Sequence, residues 1–112
     1  MAAYKKNNQQ LLFEQIHIHK IKLHQNMADM RYIKKKYIQE EKYESVRICN
    51  KYIQLNLEFY ITLDWLLDIL PESGVGLTSR IYFDFITKHK LKINGIKLAF
   101  QKQHDAQPSI KY

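Results

Sequence analysis

Between Met1 and Leu70 the chain has neither glycine nor proline; its three glycines and two prolines all lie from Pro71 onward. These residues are the strongest local breakers of regular structure, so the first two thirds contain nothing that forces a turn. Cysteine is nearly absent as well. Cys49 stands alone, which excludes an internal disulfide and gives no sign of an oxidising compartment. Long apolar runs are missing. The most apolar stretch, 57–70, is too short to span a bilayer and carries Glu58, Asp64 and Asp68. Lys5 and Lys6 are followed by no apolar segment of the kind a secretory leader needs. The expectation is a cytoplasmic or nuclear protein that does not enter a membrane.

What is present is basic, apolar and aromatic. The 112 residues include 18 Lys or Arg against 11 Asp or Glu, a net charge of +7. A hydrophobic fraction of 46% sets the chain apart from disordered tails. Its length suits a single domain, 1–112, with 1–10 and 103–112 as flexible ends. A surplus of positive charge favours acidic partners: DNA or RNA, or an acidic protein surface. The charge is also segregated: +6 over 1–56, −4 over 57–87 and +5 over 88–112.

Periodicity predicts a mainly α fold. Residues 11–24 read either way: Ile16 and Ile18, then Ile21 and Leu23, alternate like a strand with a slip at His19–Lys20, while the absence of any breaker favours a helix whose apolar side chains scatter around the wheel. Residues 29–57 give the clearest helical pattern, with Asp29 at its start and Lys36–Glu40 and Glu44–Arg47 as surface pairs. Cys49 falls on an apolar face of this helix and reads as core. Thr62 and Asp64 suggest a new start and a short helix over 63–70, closed by Pro71. Residues 71–78 read as a loop, and 79–89 as a helix capped by Thr78 or Ser79. Asn94-Gly95 between two alternating apolar runs is a strong hairpin signal; it pairs Ile93 with Ile96 and Lys92 with Lys97. The expected fold is thus a small helical domain with a C-terminal β-hairpin, winged-helix-like in its order of elements.

Catalytic constellations are lacking. The glycines of 74–76 precede no Gly-Lys-Ser/Thr, and the acids form no evident pair. His17, His19 and His24 match no zinc spacing. The expectation is therefore a protein that is not an enzyme and that uses neither cofactor nor metal. The leading functional reading is nucleic-acid binding. Its candidate contacts are Arg31, Lys34, Lys35 and Lys36 in the basic run, with Arg80, Lys88, Lys90, Lys92, Lys97 and Lys102 around the helix–hairpin unit. Basic residues interleaved with tyrosines suit phosphate neutralisation and base stacking. The competing reading is a protein-binding adaptor or inhibitor, of a kind phages and viruses encode, docked on an acidic protein surface. Tyr60, Trp65 and Phe83 are its candidate interface residues, and the apolar segment 57–72 could also support a homodimer.

Overall fold

The computed structural model describes residues 7–106. Apart from Asn7 and the three residues 40–42, all of them are helical. Helix α1 spans Asn8–Gln39 and helix α2 spans Tyr43–Ala106. Within α2, Gly74 takes φ 81° and ψ 167°, which breaks the helix there. Its two limbs, 43–73 and 75–106, run antiparallel: Phe59 and His89 have ring centroids 4.5 Å apart across them. With α1 they form a bundle of three nearly equal rods, each about 45–50 Å long at 1.5 Å per residue.

Helix α1 begins at a capping box. Asn7 Oδ1 accepts from the Gln10 N–H at 2.8 Å, and Gln10 Oε1 accepts from the Asn7 N–H at 3.1 Å. Residues 8–10, expected in a frayed end, are therefore its first turn, and residues 103–106 continue α2. The rest of the two ends, 1–6 and 107–112, lies outside the described residues. The helix expected over 29–57 is in fact two. Lys42 N–H donates to the Tyr37 carbonyl at 2.9 Å and Glu41 N–H to that of Ile38 at 3.1 Å. This is the Schellman pattern, and the residue it places in left-handed conformation is Glu41, at φ 58°. A turn usually announced by glycine is here made by glutamate, so nothing in the composition gave it away. Asp29 consequently lies inside α1, and Lys42 rather than Lys36 pairs with Glu40, at 3.7 Å.

Burial explains where the chain stays helical. Leu12, Ile16 and Leu23 of α1 pack with Phe59, Leu63, Leu66 and Leu70 of the first limb and Tyr82 of the second. Spacings of three and four residues keep each set on one face. No new helix starts at Thr62, whose hydroxyl donates to the Glu58 carbonyl at 3.0 Å as the helix passes through. Pro71 does not end the first limb either. Leu70 is 1% exposed, and holding it in the core outweighs the usual reluctance of a residue before proline to be helical. The stop comes at Gly74, so 71–73 and 75–78 are helical rather than a loop.

The expected C-terminal β-hairpin is absent, and with it the winged-helix-like arrangement: residues 91–98 are helix, and no strand occurs among the described residues. The competition is between a local turn signal and a longer period. Tyr82, Phe85, His89, Ile93, Ile96 and Phe100 recur at three- and four-residue steps and are all buried or half-buried. A two-stranded ribbon would be marginal alone and would face Lys92 against Lys97.

Candidate polyanion-binding groove

The structure sorts the basic residues into separate surroundings. Arg31, Lys35 and Lys36 are exposed near the C-terminal end of α1, and Lys36 Nζ sits 5.0 Å from the Tyr32 ring centroid. Lys34 is half-buried and close enough to Cys49 to act on its thiol, which burial pushes up and Lys34 pulls back. Arg80 is exposed on the second limb. Lys88 is paired with Asp84 at 2.9 Å. Lys92 and Lys102 line the groove between the two limbs, where Arg47 and Lys51 face them but Glu44 and Glu58 also contribute. Arg47 is held by Glu44 in an ion pair one turn away.

A different environment surrounds Lys90 and Lys97. Together with Lys22 they line a cavity of about 500 Å³ between α1 and the second limb. Among the described residues no carboxylate lines it. Its remaining wall is polar and aromatic: His19, Asn26, Tyr52, Asn56, His89 and Asn94, with Leu23 and Ile93. All three rods thus contribute to the lining, and Tyr82 and Phe59, which do not line it, hold its histidines. His19 Nδ1 and the Tyr82 hydroxyl are hydrogen-bonded at 2.9 Å, and the His19 ring meets Phe59 edge-on at 5.0 Å. Phe59 in turn meets the His89 ring at a tilt of 54°. Burial lowers the His19 pKa, and the charges of Lys22 and Lys90 lower it further. Burial likewise pushes His89 down to about 4, helped by His19 and Lys92. Both imidazoles are therefore neutral near pH 7, and the positive charge of the groove belongs to its lysines.

Sequence reasoning named Lys90 and Lys97 but not Lys22, Asn56 or Tyr52. Lys22 comes from a helix distant in sequence, and only the return of the second limb alongside α1 brings it in. Asn56 and His89 each occupy a seam position amid apolar neighbours (Tyr52–Asn56–Phe59–Leu63 and Tyr82–His89–Ile96). A polar residue in that register is the signal that could have found them.

The interface candidates point elsewhere. Tyr60 is half-buried, with Lys20 Nζ 5.0 Å from its ring centroid, and Lys20 also pairs with Asp64. Trp65 is 47% exposed on the first limb and Phe83 55% on the second. Leu57, Ile61 and Trp65 follow one another at four-residue steps, and all three are exposed. Cys49 is buried. Among the described residues no group of three or more His, Cys, Asp or Glu could hold a metal ion, and no helix is long and apolar enough to cross a membrane.

No protein-family model matches the chain, and neither the curated proteins nor the solved structures include one significantly similar to it.

Proposed function

We propose that the chain is a non-enzymatic nucleic-acid-binding protein that contacts the phosphate backbone through the groove between α1 and the second limb. The observation that carries this reading is the grouping of Lys22, Lys90 and Lys97 around one cavity with no carboxylate among its described lining residues. Ammonium groups act on phosphates as point charges, and an adjacent carboxylate would cancel them. The exposed Arg31, Lys35 and Lys36 extend the positive surface of α1 beyond the groove. Such a function belongs to the cytoplasm or nucleus, where nucleic acid is available. The mode of contact is a helical groove.

Counterion release gives the test. Three neutralised phosphates lower log K by roughly 2–3 per tenfold rise in salt, with slopes near −0.7 per contact on single strands and −0.9 on duplex DNA. Replacing Lys90 and Lys97 with glutamine together should remove about two contacts' worth of that slope. Binding of DNA and RNA oligonucleotides that did not respond to salt would sink the proposal.

A second reading is favoured by the outward stripe Leu57–Ile61–Trp65, which suits a protein partner or a second copy of the chain. Sedimentation equilibrium of the wild type and Trp65→Ser distinguishes self-association from binding an acidic protein surface.

A further inference from the structure

Packing does not explain Asn56. It lies on the first limb between Tyr52 and Phe59 and is 0% exposed. Its Nδ2 donates to the Tyr52 carbonyl at 2.8 Å, which sets the orientation of the amide. The other end of the amide, Oδ1, is buried with no hydrogen-bond partner. Folded proteins rarely leave a buried acceptor in this state. His89, on the opposing limb, has a buried Nε2 that also lacks a partner. Both residues line the one cavity whose rim carries Lys22, Lys90 and Lys97. Two residues with a buried, unpartnered polar atom thus line one recess with three lysines, and His89 also borders a smaller cavity with Glu58 and Lys92.

We propose that this recess is a nucleotide pocket. A nucleobase enters it edge-first and, as the side chains over the buried amide give way, donates an N–H to Asn56 Oδ1. The same edge meets His89 Nε2, while the phosphate stays at the rim with the lysines. The proposal rests on reading the groove as a nucleic-acid contact and narrows that contact to a single nucleotide unit, free or within a strand. Three features select this ligand. A base edge presents donors and acceptors in one plane, and a neutral imidazole nitrogen serves in either role according to its tautomer. Tyr52 on the wall offers an aromatic surface of the kind bases stack on. The volume, about 500 Å³, lies in the range of small-molecule sites.

The test uses the full chain. The probes are adenosine, guanosine, cytidine and uridine monophosphates and a short mixed-sequence single-stranded oligonucleotide. Affinity is read by calorimetry, and occupancy by the NMR resonances of the Asn56 side-chain amide. Binding should shift those resonances, and Asn56→Leu, which keeps the volume and removes the acceptor, should weaken it about tenfold with an unchanged salt slope. Shifts with a monophosphate identify a free nucleotide as sufficient; shifts with the oligonucleotide alone identify a unit of a strand. Oligonucleotide binding that leaves the Asn56 amide unmoved and is equal in Asn56→Leu overturns the pocket but leaves the basic groove standing. No binding of either probe overturns both, with Asn56 then serving only to hold water. If Asn56→Leu does not fold, His89→Phe tests the same loss, and the wild-type amide shift still decides.

Discussion

Gly95 offers a direct test of the helix that replaced the expected hairpin, because the two structures predict opposite signs for one substitution. Gly95 lies inside the second limb, is exposed, and would place an added Cβ in open space. In a helix interior, Ala is favoured over Gly by about 0.5–1 kcal/mol. In an Asn-Gly hairpin turn the glycine has positive φ, and Ala there loses about 1–2 kcal/mol. Gly74 is the internal control. A Cβ there also meets nothing within 4 Å, so any loss comes from the backbone alone. At φ 81° and ψ 167° that backbone belongs almost exclusively to glycine, and Gly74→Ala should cost about 1–3 kcal/mol. Equilibrium urea denaturation followed by circular dichroism measures both. With a denaturant slope of about 2 kcal/mol/M, Gly95→Ala should raise the midpoint by roughly 0.3–0.5 M and Gly74→Ala should lower it by roughly 0.5–1.5 M. A lower midpoint for Gly95→Ala, or an unchanged one for Gly74→Ala, would refute the helical assignment at the corresponding position.

Two further outcomes are expected. Glu41→Gly should stabilise the fold by about 1 kcal/mol, since a glutamate now occupies the left-handed position of the α1 cap; thermal denaturation checks it, and a fall in Tm contradicts the motif. Stability should also decline as pH falls from about 6.5 toward 4. The folded His89 stays neutral down to about 4 and the His19 pKa is lowered too, so the unfolded chain binds more protons in that window, while the contribution is fully present above it. Urea midpoints across this range, compared with those of His89→Phe, should show a shallower decline in the variant.

The parts of the fold legible in the sequence were those governed by local period. Helix over 79–89, the core position of Cys49 and the Glu44–Arg47 pair follow from three- and four-residue spacing, whereas 11–24, whose apolar side chains form no single stripe, could be favoured as helix only for want of a breaker. What was illegible depended on distant partners or on an atypical residue. Pro71 and Asn94-Gly95 carry strong local turn signals, yet the core contacts of Leu70 and the half-buried stripe through Ile93, Ile96 and Phe100 override them. The turn at 40–42 sends the opposite message: no breaker announces it, and Glu41 absorbs the strain. The site was half legible. Lys90 and Lys97 could be named from charge alone. Lys22 and Asn56 could not join them until three rods were placed side by side.

The reversal at Gly74 also gives the molecule an electrical orientation. By folding the acidic segment 57–87 back on itself, it sets an acidic half toward the Gly74 end of the rod, although Lys20 and Lys88 pair with Asp64 and Asp84 there. The basic turns that close α1 lie at the other end, where Tyr37 stacks on Phe100, and so does the basic end of the second limb. The molecule is therefore a permanent dipole, and its ends are not equivalent to an approaching polyanion. Long-range attraction would turn the basic end toward any polyanion before contact forms, while the Gly74 tip would be repelled. On the proposed function, encounters would begin in one orientation, with the acidic tip facing away.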